Sequence, residues 1–376
     1  MNSAKLFFCI IVFGIASVSA TTAKKLGIIY PPSEFATLSD NPNKNYNSTN
    51  YSGIITASQI SPKAPLGASK LFIDVNGSQR TYYLFSTSNL NKKNVPLLLM
   101  LHGGGGSAES SIKFTKLGSL GPLSGIDVIF PEGSNLGHPY RWNTGLPTGT
   151  DIDKVKDIEF IDKLVKKYAS EKRPIFLAGL SNGGMMVLNQ LCNGTTRFDG
   201  AFVVAGGTSQ QILDQCHANV RMPILLVHGL QDSVVPYGGG LVVRGSREKS
   251  TTLSETPLVS HTKLVDFWRR RNICRDTYKS SIPILSLQSN QEINIKDYVT
   301  KHFDCKQTLS IVLNEGDHGW PTDPDKLTFR EKMALHLRQR IAGALIGKIS
   351  VDPGDLDTTG IILKLIDHWS SQAKGS

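Results

Sequence analysis

One serine of the chain stands in a pattern that suits a nucleophile. Ser181 lies inside Gly179–Gly183 (Gly-Leu-Ser-Asn-Gly), directly after the apolar run Pro174–Ala178 and before the helix-like segment Met185–Leu191. Glycines on both sides of a serine let the backbone turn sharply and project the hydroxyl from the end of a strand. A glycine-rich turn with Ser181 as a helix N-cap would give the same letters. The strand before the motif and the helix after it favour the nucleophile.

A serine hydroxyl needs a base, and the base needs an acid that orients it. Asp232 follows the apolar run Pro223–Val227, and His318 follows the run Leu309–Leu313 in a loop bracketed by glycines. The order serine, acid, histidine, each after its own strand, is typical of a triad at the carboxyl edge of a parallel sheet. The alternatives are an Asx turn for Asp232 and a structural role for His318. The spacing predicts Ser181 as nucleophile, His318 as base and Asp232 as acid.

The negatively charged oxygen formed in acyl transfer needs preset N–H donors. The run Leu98–Leu101 leads into His102 and four consecutive glycines. A backbone N–H of Gly103 or Gly104, together with that of Asn182, is the predicted oxyanion hole. A phosphate-binding loop is the competing interpretation, but neither a Gly-Lys-Ser/Thr sequence nor a complete dinucleotide fingerprint follows. We expect His102 to orient this loop rather than to react.

Further residues fall in or beside these loops. The candidates for substrate binding are Trp142, Asn143, Tyr237 and Trp320. Aromatic side chains there could form an apolar wall for an acyl or aryl group. Core packing is their alternative role. The chemistry requires no metal and no organic cofactor. No Cys-x-x-Cys or His-x-x-x-His spacing indicates a metal site.

These loops need a scaffold that brings strand ends together. Short apolar runs without alternation predict strands buried on both faces, as in a parallel sheet: Val95–Leu101, Ile126–Phe130, Pro174–Ala178, Ala201–Ala205, Pro223–Val227 and Leu309–Leu313. Helical spacing of apolar residues recurs at 158–165, 264–268 and 358–370, and Asn76-Gly77 predicts a hairpin between Lys70–Val75 and Arg80–Thr87. The alternation predicts an α/β domain with a mostly parallel sheet flanked by helices.

The beginning of the chain is typical of a secretory signal peptide. Residues 1–20 combine Lys5, an apolar run of about a dozen residues and small residues up to Ala20. A membrane anchor would need about 20 apolar residues. We therefore expect a secreted chain, extracellular or periplasmic, without stable membrane insertion. A polar arm or linker is predicted over 21–65, and one catalytic domain over 66–376, with a basic amphipathic helical segment inserted near 322–352.

Composition limits the classes of protein to which the chain can belong. Hydrophobic residues make up 40% and charged residues 19% of the chain, which excludes overall disorder. The net charge of +10 does not predict nucleic-acid binding, because Arg269–Arg271 is the pattern of a solvated helix face. After removal of the signal peptide four cysteines remain, which in an oxidising compartment suggests two disulfides with three possible connectivities.

The motifs together resemble a known family: 101–104 (Leu-His-Gly-Gly), 130–133 (Phe-Pro-Glu-Gly), 179–185, 228–237 and 318–321 (His-Gly-Trp-Pro). They resemble the secreted polyhydroxybutyrate depolymerase and feruloyl or acetylxylan esterase family of the α/β-hydrolase superfamily. The resemblance implies the α/β-hydrolase fold and the same Ser181–His318–Asp232 triad. It also implies disulfides between Cys192 and Cys216 and between Cys274 and Cys305. Asp317 departs from the family pattern, because a small residue commonly precedes the histidine.

The expectation is a secreted serine carboxylesterase similar to polyhydroxybutyrate depolymerases, acting on hydroxyalkanoate oligomers or amorphous polyester. An ester substrate, small or polymeric, is the only partner the sequence predicts, and it leaves the oligomeric state open. The alternatives are a feruloyl or acetylxylan esterase acting on plant polysaccharide esters, an exported serine peptidase, and a hydrolase-fold binding protein without catalysis.

Overall fold

The predicted apolar runs form the strands of one large sheet. The computed structural model describes residues 67–87, 94–135, 140–170, 172–217, 220–244, 251–252, 255–273, 298–302, 308–313, 316–321 and 356–373. All of them belong to a single unit, Ser52–Ser376. The predicted signal peptide at 1–20, the arm at 21–65, the segment 322–352 and the Cys274–Cys305 pair lie outside the described residues.

Of the eleven strands among the described residues, eight lie within a few residues of the predicted runs, and the other three (β8, β9 and β10) were not predicted. In chain order they are β1 (Ser69–Val75), β2 (Ser78–Phe85), β3 (Leu97–Leu101), β4 (Asp127–Pro131), β5 (Ile175–Leu180), β6 (Gly200–Val204), β7 (Ile224–Gly229), β8 (Val243–Arg244), β9 (Thr251–Thr252), β10 (Tyr298–His302) and β11 (Thr308–Leu313). Nine of them form one sheet in the order β1-β2-β4-β3-β5-β6-β7-β11-β10, and β8 pairs with β9. The predicted hairpin joins β1 and β2 around Asn76-Gly77.

The centre of the sheet is parallel and its margins are antiparallel. Strands β4, β3, β5, β6, β7 and β11 run parallel to one another, whereas β1, β2 and β10 pair antiparallel. The loops after β3, β5, β7 and β11 therefore leave the same edge of the sheet, which is where ligands bind in open α/β sheets. The predicted α/β-hydrolase fold is confirmed.

Helices flank this sheet. They are α1 (Ala108–Thr115), α2 (Leu117–Leu123), α3 (Asp157–Tyr168), α4 (Asn182–Asn193), α5 (Gln210–Gln215), α6 (His261–Arg271) and α7 (Thr358–Ala373), with a short 3₁₀ helix at Asp151–Lys154. The segments with helical spacing at 158–165, 264–268 and 358–370 lie in α3, α6 and α7. Among the described residues, none of these helices has the length and apolar character needed to cross a bilayer.

Each central strand is buried on both faces, which explains the runs without alternation. In β3, Leu97, Leu99 and Leu101 pack into one hydrophobic cluster, whereas Leu98 and Met100 pack into the other. The indole ring of Trp369 on α7 stacks on Phe202, with ring centroids 5.1 Å apart. Burial on both faces holds the strand ends in a fixed arrangement, so the loops at the carboxyl edge start from rigid positions.

Candidate active site

The turn between β5 and α4 holds Ser181 in an unusual backbone conformation. Its φ is 54° and its ψ is −120°, which few residues other than glycine adopt. Ser181 stands at the N-cap position of α4, but its side chain makes no capping hydrogen bond. The hydroxyl is therefore left for another partner, and the simple N-cap interpretation of this serine is wrong.

The two glycines of the Gly-x-Ser-x-Gly motif allow this turn because backbone meets backbone. A Cβ atom at Gly183 would lie 2.5 Å from the carbonyl oxygens of both Leu101 and His102. A Cβ at Gly179 would collide with the backbone of Gly183 itself. Real Cβ atoms do not approach so closely, so the serine turn can press against the end of β3 only if both positions are glycine.

His318 lies between Ser181 and Asp232, as the sequence predicted for a triad. Its Nε2 is 2.7 Å from Ser181 Oγ, and its Nδ1 is 2.9 and 3.0 Å from the two carboxylate oxygens of Asp232. A carboxylate only accepts hydrogen bonds, so Nδ1 carries the proton and Nε2 is free to accept one from the serine hydroxyl. This tautomer is assigned from the hydrogen-bond partners, and it is the one a general base requires.

Asp232 is a buried carboxylate whose negative charge is stabilised by its hydrogen-bond donors. Its Oδ1 accepts hydrogen bonds from the backbone N–H groups of Val234 (3.0 Å) and Val235 (2.8 Å). Asp232 therefore both forms the predicted Asx turn and is the predicted acid partner of His318. Burial acts to raise the pKa of Asp232, but the charge and hydrogen bond of His318, with His228 and the Val235 N–H, outweigh it and lower the pKa below its usual value. Asp232 stays ionised at neutral pH.

A second histidine lies behind the acid. His228 is buried, its Nε2 is 2.8 Å from the carbonyl oxygen of Val235, and the same nitrogen is 3.4 Å from Asp232 Oδ2. Burial lowers the pKa of His228, and the nearby charge of His318 lowers it further, while Asp232 and Val235 oppose the shift. His228 is therefore neutral, and its Nε2–H donates to the Val235 carbonyl and fixes the acid loop.

The glycine-rich loop after β3 is oriented by His102. The Gly133 N–H donates to His102 Nε2 (2.9 Å), so that nitrogen is unprotonated and Nδ1–H donates to the Gly103 carbonyl oxygen (2.8 Å). Glu132 Oε1 also lies 3.2 Å from Nε2. The two atoms form no hydrogen bond, because Nε2 has no proton in this tautomer.

The Gly103 carbonyl also accepts from the Gly106 N–H at 3.1 Å. In a trans peptide the following N–H points the opposite way, so the Gly104 N–H is directed away from His102. Within the described part of the chain, the N–H groups of Gly103, Gly104 and Asn182 have no acceptor. Gly103 and Gly104 therefore both remain candidates for the first oxyanion donor, with Asn182 at the N-terminus of α4 as the second.

The structure corrects the predicted roles of Trp142 and Trp320. Trp142 is 2% and Trp320 is 1% exposed, which leaves their rings almost no surface for a substrate. Trp142 instead links two loops: its N–H donates to Asn182 Oδ1 (2.8 Å), and its indole Nε1–H donates to the His102 carbonyl (2.9 Å). The Trp320 indole donates to Thr359 Oγ1 (3.2 Å) on α7. Both rings pack in the protein interior.

Asn143 and Tyr237 also have structural partners. The Asn143 side chain donates to the carbonyl oxygens of Asp153 (2.9 Å) and Val155 (3.0 Å), which uses both of its amide hydrogens. The half-buried Tyr237 ring stacks on the His261 ring at 5.2 Å. No pattern in the sequence distinguishes these roles from a substrate wall, because they depend on which loops happen to meet.

Cys192 at the end of α4 is bonded to Cys216 just after α5, the pairing that the family resemblance implied. Among the described residues, no group of three or more His, Cys, Asp or Glu side chains is arranged to hold a metal ion.

A cavity of about 660 Å³ opens at the same edge of the sheet, beside the glycine-rich loop. It is lined by the start of β2 and the end of β4, and its side chains are mainly polar, including Gln79, Arg80, Glu132, Tyr140 and Lys154. In the sheet order, β4 and β5 are separated only by β3. At the usual strand spacing the end of β4 lies about 10 Å from the end of β5, which carries Ser181.

Comparison with known proteins finds similarity to esterases over part of the chain. The phospholipase/carboxylesterase family model matches residues 85–251. The chain is 29% identical over 165 residues to the bifunctional acetylxylan esterase/xylanase XynS20E of Neocallimastix patriciarum, an alignment that covers 43% of this chain and 22% of that protein. It is 31% identical over 166 residues to feruloyl esterase B of Piromyces equi, covering 43% of this chain and 31% of that protein.

These alignments thus span less than a third of either relative. Among solved structures, an acetyl xylan esterase from Aspergillus awamori aligns with 66% of this chain and with 94% of its own chain. The TM-score is 0.43 and the sequence identity is 14%.

Proposed function

We propose that this chain is a secreted serine esterase of the phospholipase/carboxylesterase family that cleaves carboxylic esters through an acyl-enzyme on Ser181. The observation that carries the proposal is the position of His318, with Nε2 2.7 Å from Ser181 Oγ and Nδ1 2.9 Å from Asp232. Nucleophile, base and acid are then in hydrogen-bond contact in the order that acyl transfer needs.

In the first half-reaction Ser181 Oγ attacks the ester carbonyl while His318 Nε2 takes its proton. Asp232 stabilises the imidazolium that results, and its lowered pKa keeps it ionised for this role. The negatively charged oxygen is bound by the N–H of Gly103 or Gly104 and by the N–H of Asn182. His318 then gives its proton to the leaving alcohol. In the second half-reaction the same histidine activates water, which releases the acid and restores Ser181.

The substrate class we propose is an ester of a plant polysaccharide, either acetyl or feruloyl, with hydroxybutyrate oligomers as the competing class. Two observations support it. Both relatives named above are esterases of this kind. The cavity beside the glycine-rich loop is lined by polar side chains and Tyr140, a combination that suits a saccharide better than an apolar polyester chain.

A hydrolysis panel tests the function and the substrate class together. The full chain and its Ser181→Ala variant are assayed on p-nitrophenyl acetate, methyl ferulate, acetylated xylan, hydroxybutyrate oligomers and a peptide p-nitroanilide. We expect ester turnover that Ser181→Ala lowers by at least about 10⁴-fold. Dominant cleavage of the anilide would instead indicate a peptidase. Unchanged turnover and unchanged fluorophosphonate labelling in Ser181→Ala would refute the mechanism.

A blocking variant tests the role of the cavity. Gln79 is exposed and lines the cavity, so Gln79→Trp should obstruct it without touching the triad. We expect a higher KM for a feruloylated oligosaccharide and an unchanged KM for methyl ferulate, which carries no sugar and serves as the matched control. Equal KM values for Gln79→Trp and wild type on the oligosaccharide ester would argue against the polysaccharide class.

A further inference from the structure

Asp317, the residue before the candidate base, joins the two loops that carry the acid and the base. Its Oδ1 accepts three hydrogen bonds: from the Ser233 N–H (3.0 Å), from the Ser233 hydroxyl (2.9 Å) and from the His318 N–H (2.8 Å). Ser233 is the residue after Asp232. One carboxylate oxygen therefore binds the immediate neighbour of the acid and the backbone of the base at the same time.

The rest of the contact between these loops is made by backbone. The Leu230 N–H donates to the Leu313 carbonyl oxygen, and the Gln231 N–H donates to that of Gly316, both at 2.9 Å. These bonds end one residue before Asp232 on one loop and two residues before His318 on the other. Gly229, at the end of β7, also packs against the loop of the base, because a Cβ there would collide with the Gly316 carbonyl. Closer to the two side chains, the Asp232–His318 pair itself and the bonds to Asp317 join the loops.

We propose that Asp317 is a positioning residue that sets the geometry of the Asp232–His318 pair by tying Ser233 to the His318 backbone. This inference rests on the proposed function, because it assigns Asp317 to the alignment of the base used in that reaction. A glycine or an alanine at this position could not accept these bonds.

The surroundings of Asp317 argue for alignment rather than for core stability. Asp317 is half-buried and Ser233 is exposed, so water could replace their mutual hydrogen bonds at small cost in free energy of unfolding. The position of His318 is more sensitive. A base displaced by about 1 Å from its productive geometry can lower the rate about 100-fold.

Three variants separate acceptor geometry from charge. Asp317→Ala removes all three hydrogen bonds. Asp317→Asn removes the charge but keeps a carbonyl oxygen that can accept the same bonds. Ser233→Ala removes only the hydroxyl donor and leaves the Ser233 N–H bonded. Each variant is compared with wild type for kcat and KM on p-nitrophenyl acetate, for the rate of fluorophosphonate labelling, and for thermal unfolding.

We expect Asp317→Ala to lower kcat and the labelling rate by about 10- to 100-fold with KM within about threefold of wild type. Asp317→Asn should recover both rates to within about threefold, and Ser233→Ala should fall between the two. His318 acts in both half-reactions, so acylation and deacylation should slow together in Asp317→Ala.

The proposal is overturned if Asp317→Ala keeps wild-type rates, if Asp317→Asn is as slow as Asp317→Ala, or if only KM changes. Should Asp317→Ala fail to fold, Asp317→Asn and Ser233→Ala decide the question: slow labelling in the former, or wild-type kcat in the latter, overturns it. Labelling needs an activated serine but no particular ester. A wild-type chain that is labelled but cleaves no carboxylic ester therefore defeats the proposed function and still tests Asp317.

Discussion

Ser181 and the pair formed by His318 and Asp232 are held by different kinds of contact, although all three follow strands of the same sheet. On the nucleophile side, backbone packs on backbone, and Gly183 fits against the carbonyls of Leu101 and His102 with no room for a methyl group. On the acid–base side, backbone contact is confined to the base of the loops, where Gly229 packs against Gly316. Nearer Asp232 and His318, the two loops are joined by hydrogen bonds, several of which involve side chains.

The difference predicts how each side responds to substitution. A backbone contact without spare volume cannot adjust locally, so a change there disturbs the fold and the activity together. A hydrogen-bonded loop can keep its path when one side chain changes, provided that the new side chain still accepts or donates. Activity and stability should therefore separate at the side-chain contacts of the acid–base side and fall together on the nucleophile side.

The largest expected effect is that of Gly183→Ala. The new methyl group would lie 2.5 Å from two backbone carbonyl oxygens, so the serine turn and the end of β3 must move apart. We expect a loss of about 3 kcal/mol or more in free energy of unfolding and no measurable esterase activity. Urea unfolding and ester hydrolysis measure both.

Gly238→Ala is the matched control for that variant. A Cβ at Gly238 would meet nothing within 4 Å, so the same chemical change should alter the free energy of unfolding by no more than about 0.5 kcal/mol. If Gly183→Ala were as stable and as active as Gly238→Ala, backbone packing could not be what holds the nucleophile.

Asp232→Asn should lower activity almost as strongly but leave the fold largely intact. The asparagine oxygen can still accept from the Val234 and Val235 N–H groups, so the turn persists. Its amide group would face His318 Nδ1 and favour the wrong tautomer. We expect kcat to fall by about 10⁴-fold and the free energy of unfolding by no more than about 2 kcal/mol. A fall in kcat of less than tenfold, or an unfolded variant, would contradict the separation.

The same contrast explains what the sequence could predict. Central strands such as β3 and β5 lie within a few residues of the predicted runs, because burial on both faces requires continuous apolar residues. The positions of Ser181, Asp232 and His318 after separate strands follow from that pattern and from the parallel topology. Local sequence therefore predicts which loops meet at the carboxyl edge of the sheet.

Packing between distant segments was not predictable in the same way. Helix α2 was missed, because Leu-Gly-Ser-Leu-Gly-Pro-Leu has poor helical propensity. Gly118 lets this helix press against the Phe85 ring, which a Cβ would approach to 2.9 Å. The wall role predicted for Trp142 was wrong for a related reason, since no local pattern shows that its loop meets both His102 and Asn182.

Asn182 offers a smaller test of the nucleophile side. Its Oδ1 accepts from the Trp142 N–H, and its own N–H is the proposed second oxyanion donor. Asn182→Asp keeps the acceptor, and an acidic side chain suits the first turn of α4, so stability should stay within about 1 kcal/mol of wild type. The added negative charge opposes the oxyanion, and kcat should fall about 100-fold.

Asn182→Ala reverses the expectation, because it loses the Trp142 bond without adding charge. It should lower the free energy of unfolding by about 1 to 2 kcal/mol and kcat by less than Asn182→Asp does. If the alanine variant were the slower enzyme, the oxyanion would not lie beside Asn182.

The smallest expected effect is a pH dependence of stability on the acid–base side. Burial lowers the pKa of His228 in the folded state. In the unfolded chain this histidine binds a proton below about pH 6.5, whereas the folded protein still excludes it. The stability that neutral His228 contributes is therefore fully present above about pH 6.5, declines as the pH falls, and is lost below the folded-state pKa. The corresponding decline for Asp232, whose pKa is also lowered, begins only near pH 3.9.

His228→Gln should remove the first of these declines, because glutamine can donate to the Val235 carbonyl without titrating. Wild type should be the more stable protein at pH 8, and its advantage should shrink by at most about 1.4 kcal/mol per pH unit below pH 6.5. Urea unfolding at several values between pH 5 and pH 8 measures the difference directly. A difference that stays constant over that range would mean that His228 takes up its proton equally in both states. The acid loop would then be open to water, and its hydrogen bonds could not hold Asp232 as tightly as backbone packing holds Ser181.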